Sequence, residues 1–286
     1  MSELVPERVT TYTHEGLLFD VIDEGPLDAA PDKTVVLLHG FPERATSWRK
    51  VAPLLHEHGV RTLAPDQRGY SPHARPGRRH DYVTPKLAGD VIALIEAVGG
   101  PVHLVGHDWG AAVGWFVAAH RPDLVTTWTA FSVPHPAAYA SALLGPQGPK
   151  SWYMAAFNIP GLPERLAAQP GGLVDRMLRS SGMTEEELAR YRQEIVDDGA
   201  LPGALMWYRA LPLTIRGMGS AAPVEVPTTM VWSDRDTAID RLGVERTARH
   251  VRGPYEYVEL TGVSHWIPTQ APEAAAEAIL NRIGGA

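Results

Sequence analysis

One short segment of the chain combines a chemically reactive residue with glycines at fixed spacing. Gly106-His-Asp-Trp-Gly110 follows an apolar run at 101–105 and precedes a helix-like stretch. A tight turn between a buried strand and a helix exposes the side chain at its tip, and glycines on either side leave room for the neighbouring strand and helix. The amide groups at the helix N-terminus favour a carboxylate. We therefore predict that Asp108 is a nucleophile, although an aspartate that only caps a helix would fit the same motif.

A nucleophile at such a turn needs a base and an acid that orients the base. In chains of this organisation the acid precedes the histidine, and both follow the nucleophile. Asp234 and Asp236 lie just after a strand-like run at 228–232, and His265 follows another at 255–260. We predict that His265 is the base and that Asp236 is its carboxylate partner. Asp234 is the competing candidate, with a position more typical of a turn residue.

The elements that must position these residues alternate along the chain. Short apolar runs alternate with stretches in which apolar residues recur at helical spacing, which predicts a mostly parallel sheet covered by helices on both faces. An antiparallel hairpin opens the pattern. The strand-like runs are 34–38, 101–105, 228–232 and 255–260, the hairpin comprises 9–13 and 17–22, and helical spacing marks 85–98 and 271–283.

One long region interrupts this alternation. From residue 135 to residue 221 no strand-like run occurs, while proline, glycine and aromatic residues accumulate. Helical pieces are visible, among them 184–196, where Thr184 and Glu187 have the spacing of a capping box. We predict a helical cap at 135–221, called the lid below, inserted into a core formed by 1–134 and 222–286.

Composition limits the functional classes. The chain has 286 residues, 44% of them hydrophobic and 21% charged, which is typical of a globular protein with one large core. The net charge of −7, with scattered lysine and arginine, argues against nucleic-acid binding. No apolar run approaches the roughly 20 residues of a membrane helix, and the absence of cysteine excludes thiol catalysis and disulfides. The N-terminal residues lack the order of a signal peptide, so we expect a cytoplasmic protein.

Three motifs carry a resemblance to a known family that extends over the whole chain. His39-Gly-Phe-Pro-Glu43, the run 66–71 and the turn 106–110 resemble motifs of the epoxide hydrolases of the α/β-hydrolase superfamily. The first resembles the oxyanion loop of that family, in which the bond corresponding to Phe41–Pro42 is cis. The resemblance implies the α/β-hydrolase fold, with a mostly parallel eight-stranded sheet and a helical lid inserted after the sixth strand.

The lid adds two tyrosines to this resemblance. In the family, two lid tyrosines assist the opening of the epoxide ring. Ser151-Trp-Tyr-Met154, followed by a Phe-x-x-Pro-Gly segment, resembles the context of the first, and Met206-Trp-Tyr-Arg209 resembles that of the second. The resemblance thus implies that Tyr153 and Tyr208 donate hydrogen bonds to the epoxide oxygen. Met154 departs from relatives, which commonly carry a polar residue there.

Further roles are implied for residues around the motifs. The backbone amides of Phe41 and Trp109 would form the oxyanion hole. His39 and Arg68 are expected to hold the oxyanion loop through hydrogen bonds, and His107 to be buried beside the nucleophile. His135 lies where the chain enters the lid and is a weaker candidate for substrate contact. Side chains expected to contact substrate are those of Phe41, Trp109, Trp152, Met154 and Phe157.

The predicted reaction is hydrolysis of a small apolar epoxide to a vicinal diol, with water as the second reactant and no metal or organic cofactor. The protein is expected to be a monomer or homodimer and to bind neither nucleic acid nor membrane. One alternative is a haloalkane dehalogenase that uses the same three residues. Phe41 supplies no halide donor, and Trp109 and Ala112 supply no charge that would bind the carboxylate of fluoroacetate. A second alternative is a ligand-binding protein that kept the fold without turnover.

Overall fold

The computed structural model describes residues 7–29, 31–218 and 221–285. Residues 1–6, 30 and 286 of the predicted core and 219–220 of the predicted lid therefore lie outside the described residues.

Eight strands in the described residues form one sheet, in the order β1-β2-β4-β3-β5-β6-β7-β8. The pairs β1–β2 and β2–β4 are antiparallel. All the other neighbouring pairs of the sheet, from β4–β3 to β7–β8, are parallel. The predicted mostly parallel eight-stranded sheet is confirmed. The strands are β1 Thr11–His14, β2 Leu17–Glu24, β3 Thr34–Leu38, β4 Arg61–Pro65, β5 Val102–His107, β6 Val125–Phe131, β7 Thr228–Ser233 and β8 Tyr255–Leu260.

Helices cover both faces of the sheet, and those between β6 and β7 belong to the lid. The α-helices are α1 Ala52–His56, α2 Thr84–Ala97, α3 Trp109–His120, α4 Pro136–Ala142, α5 Gln147–Lys150, α6 Trp152–Phe157, α7 Leu162–Ala167, α8 Leu173–Ser180, α9 Glu185–Tyr191, α10 Leu201–Met218, α11 Arg241–Arg246, α12 Ile267–Gln270 and α13 Pro272–Gly284. Short 3₁₀ helices comprise Pro31–Lys33, Ala45–Lys50, Arg79–Tyr82, Pro122–Leu124 and Thr247–His250. None of the helices in the described residues is both long and apolar enough to cross a membrane.

The core lies on both faces of the parallel strands, because both faces are covered. All five residues of β3 are buried. Val36 and Leu38 pack in the apolar cluster that includes Leu94 of α2, whereas Val35 and Leu37 pack in the one that includes α1 and α13. Successive side chains of a strand point to opposite faces of the sheet. When both faces are covered, each side chain has an apolar partner, so the sequence of the strand is a continuous apolar run.

The capping box predicted in the lid is present at the start of α9. Thr184 Oγ1 accepts a hydrogen bond from the Glu187 amide at 3.3 Å, and the Thr184 amide donates to Glu187 Oε2 at 2.9 Å. The helix predicted at 184–196 changes type within its length. The α-helix α9 ends at Tyr191, and a π-helix at Arg192–Asp197 follows it directly. Gly199, with φ of +75°, then separates this segment from α10.

The first turns of α10 contact the core directly through the backbone. A Cβ atom on Gly203 would lie 2.3 Å from the carbonyl oxygen of Gly69, which itself has φ of +95°. Four residues later, Trp207 Nε1 donates a hydrogen bond to the Arg68 carbonyl oxygen at 2.7 Å. Only glycine permits this approach, so the start of α10 is fixed against the loop that follows β4.

Candidate active site

Asp108 lies at the turn between β5 and α3 with φ of 52°, a conformation that costs a non-glycine residue free energy. A Cβ atom on Gly110 would lie 2.3 Å from the Leu38 carbonyl oxygen, and one on Gly106 would lie 2.6 Å from the carbonyl group of Gly110. The glycines therefore allow the turn to approach β3. The Asp108 side chain makes no hydrogen bond that caps α3, so the interpretation of Asp108 as a simple helix cap is wrong.

The carboxylate of Asp108 has two polar neighbours. Its Oδ1 atom accepts a hydrogen bond from the Phe41 amide at 2.8 Å, and its Oδ2 atom lies 3.4 Å from Nε2 of His265. Burial raises the pKa of Asp108, but the hydrogen bond and charge of His265 outweigh that effect and the net shift is downward. Asp108 is therefore ionised at neutral pH, as a carboxylate that attacks carbon must be.

His265 connects Asp108 to a second carboxylate. Its Nδ1 atom lies 2.7 Å from Asp236 Oδ2, and Asp236 Oδ1 accepts hydrogen bonds from the amides of Ala238 and Ile239, each at 2.8 Å. The competing candidate, Asp234, instead accepts a hydrogen bond from the exposed Gly262 amide at 2.7 Å. Of the two candidates, Asp236 is thus the aspartate that bonds the imidazole.

The two carboxylates determine the charge of His265. Burial lowers the pKa of His265, but the charges of Asp236 and Asp108, together with their hydrogen bonds, raise it to about 10. In the free protein His265 is therefore an imidazolium held between two carboxylates.

This shift predicts how stability depends on pH. Because folding raises the pKa of His265, the protonated ring stabilises the fold. This contribution is complete below the pKa of histidine in the unfolded chain, roughly 6.5, and it is lost as pH rises through a pKa of about 10 in the folded protein. The free energy of unfolding should fall by up to about 1.4 kcal/mol per pH unit between neutral pH and pH ~9. Urea unfolding of the wild type and His265→Gln across this range would test it. The stability difference between the two should shrink with rising pH, and a constant difference would contradict the assignment.

The loop after β3 carries the predicted oxyanion hole. The Phe41–Pro42 bond is cis, and the Phe41 amide faces Asp108 as described above. Trp109 is the first residue of α3, so its amide has no carbonyl partner within the helix. The Phe41 amide thus bonds the carboxylate directly, while the Trp109 amide follows Asp108 in the chain at the start of α3.

His39 holds this loop, as expected, whereas Arg68 does not. His39 Nδ1 donates to the Gly40 carbonyl oxygen, and Nε2 accepts from the Gln67 amide, both at 3.1 Å. Burial lowers the pKa of His39 to about 4, which keeps the ring neutral and able to accept. Arg68 instead makes a bidentate pair with Asp90 of α2 at 2.7 and 2.8 Å. The expectation for Arg68 was wrong because its guanidinium group bonds Asp90 in the middle of α2, Asp81 and Glu15 instead of the oxyanion loop.

Two cavities meet at Asp108, and both are also lined by Tyr153 and Tyr208. The smaller, of about 100 Å³, is mostly apolar, and the larger, of about 260 Å³, carries more polar groups. Among the predicted contact residues, Trp109 and Met154 line the smaller cavity, and Phe41, Trp152 and Phe157 line the larger one. Trp152 is 61% exposed and therefore lies at the outer edge of its cavity. Pocket residues that the sequence analysis did not single out include Tyr139, Leu143, Lys150, Leu178, Thr237 and Ile239.

The two tyrosines come together although they lie 55 positions apart in the sequence. Their ring centroids are 6.0 Å apart, and the ring of Tyr208 lies 5.0 Å from those of both Phe41 and Trp109. Burial, together with the negative charge of Asp108, raises the pKa of Tyr153 and of Tyr208 well above the ordinary value. Both phenols are therefore protonated at neutral pH and able to donate a hydrogen bond.

The remaining histidine candidates have structural contacts. His107 is buried, as expected, and its Nε2 atom donates to the His265 carbonyl oxygen at 2.9 Å. His135 caps α4 by accepting from the Ala137 amide at 3.2 Å, and it donates to the Ala222 carbonyl oxygen at 3.0 Å. It thus joins the two ends of the lid and lies outside both cavities at Asp108. No group of three histidine, aspartate or glutamate side chains in the described part of the chain could hold a metal ion.

One carboxyl group near the site was not predicted. Glu43, next to the oxyanion loop, lies close to Glu187 of the lid, and burial together with the charge of Glu187 raises the pKa of Glu43 to about 8. Its Oε2 atom has no hydrogen-bond partner among the residues that the structure describes. Only its place in the motif beginning at His39 could have drawn attention to it. At neutral pH this group is mostly a neutral acid beside the charged pair of Asp108 and His265.

Comparison with known proteins identifies the family. The model of the alpha/beta hydrolase family matches residues 35–278. The AB hydrolase superfamily protein YfhM of Bacillus subtilis is 33% identical over 90% of this chain and 90% of its own, and Epoxide hydrolase A of Mycobacterium tuberculosis is 31% identical over 94% and 95%. The crystal structure of an epoxide hydrolase from Vigna radiata superposes with a TM-score of 0.79 at 30% identity, covering 96% of this chain and 97% of that one. The chain therefore belongs to the α/β-hydrolase family, and within it to the group whose members are named epoxide hydrolases.

Proposed function

We propose that this hydrolase converts an epoxide to a vicinal diol through a covalent ester on Asp108. The observation that carries the proposal is that an ionised carboxylate and two protonated phenols line the same pair of cavities. An epoxide requires both groups, because a nucleophile must attack carbon while the departing oxygen receives a hydrogen bond. The names of the relatives are consistent with this substrate class.

In the first half of the reaction, one carboxylate oxygen of Asp108 attacks an epoxide carbon and the carbon–oxygen bond breaks. Tyr153 and Tyr208 donate hydrogen bonds to the departing oxygen, which takes the proton of one phenol and becomes the first hydroxyl group. The phenolate formed regains a proton from solvent, and His265 releases one to solvent once Asp108 is esterified. This is covalent catalysis and leaves a hydroxyalkyl ester on Asp108. The mostly apolar smaller cavity favours an apolar substituent on the epoxide.

In the second half, His265 removes a proton from water, and the resulting hydroxide attacks the ester carbonyl group. The amides of Phe41 and Trp109 stabilise the oxyanion, each contributing roughly 3 kcal/mol to lowering the barrier. His265 then returns its proton to the departing alcohol oxygen, which completes the diol. The proton of the carboxylic acid left on Asp108 passes to His265, which restores the charged pair of the free protein. Asp236 keeps the imidazole in position throughout.

Esterification also explains how one histidine can be charged in the free protein and basic later. The carboxylate of Asp108 is one of the two charges that raise the pKa of His265. An ester carries no charge, so its formation removes that contribution and lowers the pKa of His265. The imidazole can then lose its proton and serve as the base for water.

Residues 135–221 would act as the cap over this site, with 1–134 and 222–286 as the core. The supporting observation is that Tyr153 and Tyr208 both come from lid helices, α6 and α10, and reach the cavities at Asp108. The same three core residues could in principle release halide from a haloalkane. The two protonated phenols have no role in that reaction, so we favour the epoxide.

Replacing the two tyrosines tests the proposed function. Tyr153→Phe or Tyr208→Phe should slow ring opening by about 10² to 10⁴, since that is the usual range for acid assistance, and the double variant should open styrene oxide scarcely at all. Rapid-quench measurement of ester formation gives the rate. Tyr191→Phe is the matched control, because Tyr191 is a buried lid tyrosine that lines neither cavity. The proposal would be overturned if the double variant opened the epoxide at the native rate. It would also be overturned if the wild type, assayed with a panel of haloalkanes and epoxides, released halide but no diol.

A further inference from the structure

The acid of the site depends on a short loop for its position. Asp236 Oδ1 accepts from the amides of Ala238 and Ile239, so the carboxylate is fixed only as firmly as residues 236–240 are. Residues 236–240, called the acid loop below, belong to the core and follow β7. A shift of the loop would therefore move Asp236 relative to His265 and weaken the 2.7 Å hydrogen bond between them.

The groups that hold this loop from outside come from the lid. Gln147 and Lys150 lie one helical turn apart on α5 and both point at it. Gln147 is buried; its amide nitrogen donates to the Ala238 carbonyl oxygen at 2.9 Å, and its oxygen accepts from the Asp240 amide at 2.8 Å. Two backbone groups of the loop are thus satisfied by one lid side chain.

Lys150 binds the same loop at its two ends. Its ammonium group donates to the carbonyl oxygens of Asp236 and Ile239, both at 3.2 Å, and lies 3.4 Å from the Asp240 carboxylate. One of these acceptors belongs to the orienting acid itself. The two side chains together make five contacts with the loop, which is more than a surface ion pair between a lid and a core would require.

A hydrogen-bonded path continues from Gln147 to the lid segment that carries Tyr153. The Gln147 amide nitrogen also donates to Ser151 Oγ at 3.0 Å, and Ser151 Oγ bonds the Tyr139 hydroxyl at 2.9 Å. Ser151 directly precedes α6, on which Tyr153 lies. The segment that would contact the epoxide oxygen and the loop that orients the base are therefore parts of one polar network.

The geometry points to Gln147 and Lys150 as positioning residues that couple the seating of the lid to hydrolysis of the ester. The inference rests on the proposed function and deepens it, since it assigns lid residues to the second half of the reaction. When α5 is seated, the acid loop is fixed and His265 is oriented toward water. When α5 is displaced, ring opening by Asp108 continues but the ester persists.

The kinetic test separates the two half-reactions in the full-length protein. Gln147→Leu and Lys150→Met should each slow hydrolysis of the ester formed from styrene oxide about tenfold or more, with ring opening changed by less than about threefold; tenfold corresponds to loss of about 1.4 kcal/mol on the barrier. Intact-protein mass spectrometry during turnover should show accumulated ester. Lys150→Arg should restore most of the hydrolysis rate, because guanidinium also donates to the carbonyl oxygens of the loop.

The matched control is Lys50→Met. Lys50 also donates to a backbone carbonyl oxygen, that of Thr269 at 3.1 Å, and lies 3.7 Å from Glu187 of the lid, but it does not contact the acid loop. It should leave hydrolysis unchanged. Equal slowing of hydrolysis by Lys50→Met and Lys150→Met would overturn the inference, because it would indicate only a general loosening of the lid.

A spectroscopic measurement tests the inference without any substrate. The His265 Nδ1 proton in the hydrogen bond to Asp236 should give a downfield proton NMR signal in the wild type and in Lys50→Met. In Gln147→Leu and Lys150→Met that signal should shift or broaden through exchange with water. An unchanged signal in both variants would overturn the inference, whether or not the wild type releases diol. Absence of diol alone would overturn only the proposed function.

Discussion

Diol formed in the first turnover in ¹⁸O-labelled water is expected to carry no label. In the ester route, the oxygen that reaches the epoxide carbon comes from the Asp108 carboxylate, and solvent oxygen enters only when water attacks the ester carbonyl group. With enzyme in excess over epoxide, the label should therefore appear in the peptide that contains Asp108. Under multiple turnovers the diol should become labelled, because the carboxylate oxygens are progressively replaced. Mass spectrometry of diol and peptides measures both.

The peptide that contains Asp236 is the internal control for this experiment, since Asp236 is also a buried carboxylate of the site and should stay unlabelled. Asp108→Ala should reduce turnover by a factor on the order of 10⁶, as loss of a nucleophile does in comparable sites. Label in the first-turnover diol would mean that water attacks the epoxide directly. Asp108 would then be a base, and the ester mechanism would be wrong.

His265→Gln should stop the reaction after ring opening, with the protein converted to a stable ester. Glutamine can still bond Asp236 but cannot accept a proton from water, so the second half-reaction loses its base. Ring opening loses only the positive charge that lowers the pKa of Asp108. Intact-protein mass spectrometry should show a mass increase equal to one epoxide, and steady-state turnover should fall by roughly the amount seen when a triad base is removed, on the order of 10⁶.

Two aspartates of the same loop give this experiment a matched pair. Asp236→Ala should also accumulate ester, because the 2.7 Å hydrogen bond to His265 is lost. Asp234→Ala should turn over at close to the wild-type rate, since its carboxylate bonds only the exposed Gly262 amide in that turn. Normal turnover by folded His265→Gln without any adduct would identify another residue as the base. Equal effects of the two aspartate variants would contradict the orienting role of Asp236.

The fold was predictable where residue patterns and burial agree. The runs at 34–38 and 228–232 are mostly apolar, with threonine only at their start, and correspond to fully buried strands. The pattern did not mark β4 and β6, because threonines interrupt their apolar residues. All of these threonines except Thr126 are buried in the structure, and the hydroxyl of Thr127 bonds the ring of His103 at 2.8 Å. A polar residue that finds a buried partner on a neighbouring strand is invisible to a hydrophobic pattern.

The site was predictable only in part, for a related reason. Asp108 and His265 follow from a glycine-bounded turn and from the order of elements along the chain, whereas Tyr153 and Tyr208 needed the family resemblance. Gln147 and Lys150 gave no signal, since glutamine and lysine are common on any surface and their partners lie 86 to 93 residues away. Which side chains meet across the lid is decided by tertiary packing, so single-chain spacing could not reveal it.

The contact between Gly69 and Gly203 gives the two parts of the lid an unequal tolerance to mutation. A Cβ atom at either glycine would collide with the backbone of the other, so a substitution there would displace the start of α10. Tyr208 lies between one and two turns further along that helix and would move with it. The helices from α5 to α8 are short, and they expose Trp152, Ile159, Leu162 and Leu173 to solvent. Changes to these exposed side chains leave the Gly69–Gly203 contact and the contacts of Gln147 and Lys150 intact. The outer surface of this part of the lid, including Trp152 at the edge of the larger cavity, can therefore change while Tyr208 keeps its position.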